Sequence, residues 1–293
     1  MKKMLGVDIG GTKISYALID EEGNIINEVQ KSETPKTKNE IEELLKEIIL
    51  KFENEVSLVA LATAGAVNNE NNAVIGSTAN LPKGYKDIDF KSLSKKTVFI
   101  ENDANCAAWA EYRIGAAKGF DNSVMLTLGT GVGGGIIVNG KLLKGKSGAA
   151  GEMHFPMSRT RLRSCTCGFW DCFEAYASGN GLRRTGIDVT GNNDITTYDI
   201  IDGVKRGNQE TIKAFNIWQN DIAAGIVGLA NIFDPDCVIL SGSMEKFVDT
   251  EKIEEFVNRN IVTTPTRVLH AKAGNYAGMI GAVLLANELT KVS

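Results

Sequence analysis

The chain has 293 residues, 43% of them hydrophobic, and a net charge of −4 with acids and bases intermixed. That composition suits ordinary globular cores, and the length favours two domains over one. No Lys/Arg block exceeds a few residues, no apolar run approaches the ~20 residues of a membrane helix, and Asp8 interrupts the apolar stretch after Lys2-Lys3 too early for a signal peptide, so the expectation is a cytoplasmic protein with neither nucleic acid nor membrane as partner.

In chain order, KMLGVDI (Lys3 to Ile9) reads as a strand, Gly10-Gly11 as a tight turn and KISYALID (Lys13 to Asp20) as a second strand. A turn at Glu21 to Asn24 leads to a third, Ile25 to Val29. Ile41, Leu44, Leu45, Ile48, Ile49 and Phe52 recur at helical spacing and predict a helix over Asn39 to Phe52. Ser57 to Ala62 and Thr97 to Ile100 read as buried strands, and Asn105 to Tyr112 as a helix starting beside Asp103. A second meander opens at Ser123: SVMLTL, the glycine-rich turn GTGVGGG, then IIVNGKLL. The order of apolar strand, glycine turn and strand thus occurs twice. Helices follow at Glu174 to Thr185, Asn208 to Phe233 and Ala277 to Leu289, with a short strand, CVIL, at Cys237 to Leu240. Strands interleaved with helices indicate an α/β class. The domain division falls near residue 115, giving lobes 1–115 and 116–276, with the last helix, about 277–293, crossing back to the first.

Three features carry chemistry. Asp8-Ile9-Gly10-Gly11-Thr12-Lys13 places two glycines after a strand, where N–H groups can converge on phosphate oxygens. Thr12 adds a hydroxyl, and Asp8 suits a magnesium ion held through water. A ligand-free Gly-Gly hairpin explains this segment as well. The second turn, Gly129 to Gly135, has five glycines in seven positions, more than a plain hairpin needs. Neither segment is a P-loop or a dinucleotide fingerprint. Second, Glu101-Asn102-Asp103 ends a strand, and strand ends face the ligand crevice of α/β sheets. Asp103 is there either a general base or the N-cap of the next helix. Third, Cys165, Cys167 and Cys172 lie within eight residues, and His154, one of only two histidines, precedes Cys165 by eleven. A Cys₃His set matches a structural zinc site; the alternative is three reduced thiols. Five cysteines, an odd number, argue against a disulfide framework, and Cys106 and Cys237 read as core.

Together DIGGTK, ENDAN, LGTGVGGG, GAAGE, CTCGFWDCFEAYASG, DPDCVILSGS and AGMIGAVLLA resemble the ROK family nearly end to end. The resemblance implies a duplicated, actin/hexokinase-like fold of two lobes around a cleft, ATP-dependent phosphorylation of a sugar hydroxyl, and a homodimer. It implies that Asp103 is the catalytic base. Asn102, Asp103, Glu152, His154, Glu174 and Thr78 would bind the sugar. Asp8, Gly10, Gly11, Thr12, Lys13, Thr130, Gly131, Gly133 and Gly242 would face ATP and Mg²⁺, and His154, Cys165, Cys167 and Cys172 would hold zinc. Two departures stand out. The family reads Glu-x-Gly-His where this chain has the shorter Glu152-Met153-His154, which bears on whether His154 reaches both zinc and sugar. The family's Pro-Gly-Pro turn is replaced by Ala62 to Val67, ATAGAV, closer to bacterial N-acetylmannosamine kinases than to glucokinases. N-acetylmannosamine is therefore the first expectation for the substrate, with glucose or another hexose next. A repressor of the same family would carry a helix-turn-helix before the first strand, which here begins near residue 3; a non-catalytic sugar binder would be expected to lack Asp103 or the glycine turns.

Overall fold

The computed structural model describes residues 2–76, 80–158 and 160–292. The first sheet is built from β1 (Met4–Ile9), β2 (Lys13–Ile19), β3 (Gln30–Glu33), β4 (Leu58–Thr63) and β5 (Thr97–Asn102), with α1 (Lys38–Phe52) between β3 and β4. Its order is β3-β2-β1-β4-β5. β1 to β3 form an antiparallel meander, and β4 and β5 join β1 in parallel. α2 (Asp103–Ile114) then leads to the second sheet, which starts with β6 (Ser123–Leu128), β7 (Val132–Val138) and β8 (Lys141–Leu142). Helices α3 (Glu174–Ala177), α4 (Gly179–Thr190), α5 (Thr197–Lys205) and α6 (Gln209–Phe233) follow, then β9 (Cys237–Ser241), α7 (Thr250–Asn260), β10 (Arg267–His270) and α8 (Ala277–Val292). The second order, β10-β9-β6-β7-β8, is the first one repeated: a three-strand meander extended by two parallel strands. The doubled organisation read from the sequence is therefore a doubled topology, and the fold is α/β with two mixed five-stranded sheets.

Each sheet has its own outer core. α1 lays Ile41, Leu45, Ile48 and Ile49 on the first sheet, and Thr37 caps its start by accepting from Glu40 N. α4 to α7 cover the second sheet around Trp218, Ile222 and Ile226. α2 and α8 fill the space between the sheets. One side of α2, with Cys106 and Trp109, packs among Met279, Val283 and the first sheet. Its other side, with Ala107, Ala108 and Ala110, meets Met125 and Ile239 of the second. Small residues are needed on both sides, which is why α2 is rich in alanine. α8 returns to the first sheet, and at Gly281 any Cβ would overlap the Cys106 carbonyl of α2.

Several boundaries differ from the sequence reading. The third strand is Gln30–Glu33, not Ile25 to Val29; Ile25 makes only an isolated bridge to Ile19, and the Asn27 side chain accepts from Leu18 N at 2.7 Å in place of a main-chain partner. The predicted helix at Glu174 to Thr185 is two helices. Ser178 is extended between them and caps the second by accepting from Gly181 N. Elements α5, α7 and β10 were not legible in the sequence.

Candidate active site

The parallel strands of both sheets end on one cavity of about 780 Å³. From the first sheet, Asp8, Ala64 and Asn102 lie at or just beyond the ends of β1, β4 and β5. From the second, Gly129, Gly242 and Ala271 follow β6, β9 and β10. Strand ends in open α/β sheets are where ligands bind, and two such sheets facing each other make a cleft.

Asp103 lines this cavity as the first residue of α2. It does not cap that helix. Asn102 is the cap, its Oδ1 accepting from Asn105 N at 3.0 Å. Asp103 Oδ1 accepts from Ala104 N at 2.8 Å, and its other oxygen makes no hydrogen bond among the described residues. Burial pushes the Asp103 carboxyl up to about 6, reinforced by the negative charge of Asp8. Asp8 is also raised to about 6 by burial, against the pull of Lys13. Two poised acids share one water-accessible cleft. Beneath them Glu101 is fully buried. It accepts from Asn102 N (2.8 Å), Asn105 Nδ2 (3.2 Å), Asn71 Nδ2 (2.7 Å) and Lys144 Nζ (2.6 Å). This network fixes the turn that carries Asn102 and Asp103, and Lys144 reaches it from the second sheet's side.

The glycine segments divide. Gly131, Gly133 and Gly242 line the cavity, whereas Gly10 to Lys13 and Thr130 do not. Gly11, Thr12, Lys13 and Thr130 are exposed, and Gly11 lies against Asn80, which is in the wall. The run Gly129 to Gly135 is not one long turn. Only its first three residues turn; Gly133, Gly134 and Gly135 lie in β7, opposite Thr127, Leu126 and Met125. Their glycines serve close packing. A Cβ on Gly135 would meet Ala108 of α2 at 2.6 Å, and one on Gly134 would meet Met153.

Glu152, His154 and Glu174 complete the opposite wall. Glu174 Oε2 accepts from Val132 N at 3.0 Å, next to the second glycine turn, and its Oε1 meets Cys165 Sγ at 3.4 Å. The ligand atoms of His154, Cys165, Cys167 and Cys172 all lie within 4.8 Å of one another. Tetrahedral zinc with ~2.3 Å sulfur and ~2.0 Å nitrogen bonds asks for spacings of this order, so the set fits the ion. The shortened Glu-Met-His segment does not remove His154. Its Nδ1 stands 3.4 Å from Cys172 Sγ and its Nε2 3.7 Å from Glu152 Oε2. Met153, the buried residue between Glu152 and His154, packs over Gly134. Asp171 braces the loop by accepting from the backbone N–H of Arg161, Leu162 and Arg163.

The ROK family model matches residues 4–289. The chain belongs to the ROK family. It is 34% identical to a glucokinase of Streptomyces coelicolor, with 97% of each chain covered. It is 31% identical to an N-acetylmannosamine kinase of Yersinia pestis, over 98% of this chain and 99% of that one. Among solved structures it is similar to a ROK family glucokinase from Streptomyces griseus in complex with glucose and AMPPNP, with a TM-score of 0.80, 32% identity and 98% and 99% coverage. Like its ROK relatives it is two-lobed. No helix among the described residues is long and apolar enough to cross a membrane.

Thr78 lies outside the described residues. Wall residues that sequence reasoning missed include Asn80, Ser241, Ser243, Asn275 and Gly278. Ser241 and Ser243 were findable, since they flank Gly242 at the end of a predicted strand. Asn275 and Gly278 were not, because they reach the cleft only through the return of α8.

Proposed function

We infer that this protein is an ATP-dependent sugar kinase acting on the 6-hydroxyl of an amino sugar or hexose, with N-acetylmannosamine the first choice and glucose the second. One observation carries the reading: Asp103 and Asp8 meet the Gly129–Gly131 turn in a single cleft, although the three come from separated parts of the chain. Asp103 takes the proton of the sugar hydroxyl as that oxygen bonds to the γ-phosphorus and the bond to ADP breaks. Asn102, Glu152, His154 and Glu174 orient the sugar on one side. On the other, Asp8, Gly131, Gly133 and Gly242 face the nucleotide, with Gly10 to Lys13 and Thr130 at its exposed edge. Asp8 offers the hard oxygen that suits magnesium, which when bound would neutralise phosphate charge. His154, Cys165, Cys167 and Cys172 would hold structural zinc, keeping Nε2 of His154 on the sugar side.

The choice of sugar rests on the proline-free ATAGAV turn, which places Ala64, Gly65 and Ala66 in the cleft wall. Glucose stays second because the glucokinase and N-acetylmannosamine kinase relatives are similarly distant. We place the lobe division near residue 115, with α8 belonging to the first lobe, because each sheet carries its own outer core. A homodimer belongs to the same reading, and sedimentation equilibrium tests it. The deciding experiment is ADP release across glucose, N-acetylmannosamine, N-acetylglucosamine, mannose and fructose. The highest kcat/KM is expected with N-acetylmannosamine; a preference for glucose selects the second reading, and no ADP with any sugar refutes both.

A further inference from the structure

Two segments connect the lobes. One runs from the end of α2 to β6, and the other from the end of β10 to α8. Both are held by one side chain. Glu111, fully buried on α2, accepts from Ala116 N at 2.6 Å in the first crossover. In the second, it accepts from Lys272 N at 2.8 and 3.0 Å and from Ala273 N at 2.6 Å. No lysine or arginine side chain pairs with this carboxylate among the described residues; main-chain N–H groups satisfy it. The surroundings are shaped to admit it. Gly115 stands where any Cβ would collide with the Glu111 carboxyl group. The second crossover also leads into the cleft. Ala271, Gly274 and Asn275 line the wall, and Gly278 of α8 lies 3.4 Å from Asp8 Oδ2, measured from an added Cβ.

We propose that Glu111 is the positioning residue of the hinge: it staples the two crossovers together and so sets the 271–278 wall at the height at which Asp8 and the nucleotide meet. The inference rests on the kinase reading for the identity of the nucleotide. Main-chain N–H groups from both crossovers converge on a charged acceptor, which strengthens each bond. The staple leaves each lobe's outer core untouched, so the lobes can close around it without repacking. Its loss lets the second crossover drift relative to α2, and the nucleotide side suffers before the sugar side.

Glu111→Gln is the test, because it keeps one acceptor oxygen and turns an NH₂ donor toward the other crossover. Titration with MgADP is expected to show affinity lowered about tenfold or more, while N-acetylmannosamine binding stays within about twofold. A merely structural role would move both together. Hydrogen exchange on the unsubstituted protein needs no variant. The amides of Ala116, Lys272 and Ala273 should open as one unit and slow together when MgADP is added. MgADP affinity unchanged in a folded Glu111→Gln protein, or independent exchange of the three amides, overturns the proposal. An unsubstituted protein that takes no MgADP sinks the kinase reading and this inference with it, whereas intact binding by the variant sinks the inference alone.

Discussion

Asp103 gains its chemistry from position. Asn102 relieves it of capping duty, so one carboxylate oxygen is left for the cleft. Its raised pKa gives a pH dependence with a definite sign. Below about 6 the group is protonated and cannot accept the substrate proton, so kcat/KM should fall on the acid side and level off above. Unfolding does not explain that limb through this group. A carboxyl raised in the folded state binds its proton more tightly there, so its contribution to stability grows as pH falls through about 6. Circular dichroism across the same range should therefore stay native while activity drops. Asp103→Asn should lower kcat by roughly 10²- to 10⁴-fold with MgADP still bound; near-normal turnover would remove Asp103 as the base. Lys144 acts at the same scale. Its ammonium is 2.6 Å from the fully buried Glu101, and Lys144→Met would leave that charge without its cation. A loss of about 3 kcal/mol in denaturant unfolding is expected, of the order seen when one partner of a buried pair is removed.

Among the elements, the cysteine loop is the one the proposed zinc would organise. Phe155 and Phe173 stack at its base, but at its tip Leu162, Phe169 and Trp170 are exposed, and Asp171 and the Cys₃His set hold its course. Metal analysis should give about one zinc per chain. Chelation, or Cys172→Ser, should raise hydrogen exchange over 154–174 and reduce activity, since Glu174 links the loop to Val132. A metal-free protein with a protected loop would dismiss the zinc site. This loop was readable because ligand spacing is a local signal. The glycine run was half readable. Its turn was legible, but Gly134 and Gly135 answer to Met153 and Ala108, side chains well outside any local window that no local pattern reveals. The edge strand β3 failed for a different reason. Gln30, Lys31 and Glu33 are exposed, so the strand has no buried face to set an apolar alternation.

At the scale of the molecule, the repeated sheet order was visible as two meanders and the return of the last helix was expected, but its pairing with α2 in a layer between the sheets was not. It depends on α8 crossing the whole chain to meet α2. The contact is closest where Gly281 faces the Cys106 carbonyl, so Gly281→Ala should destabilise both lobes together by about 1–3 kcal/mol, read as one cooperative thermal transition shifted downward. An unshifted transition would mean that the helices part easily. The same helix has a consequence during synthesis. β1, β2, β4 and β5 emerge from the ribosome early, and α2 soon after, yet Met279, Val283 and Leu285, which complete the cover of their inner face, are made more than 170 residues after β5. At about 5–20 residues per second, the part of that greasy surface that α8 covers stays open for on the order of ten seconds or more. The first sheet therefore cannot finish its inner layer until α8 has been made.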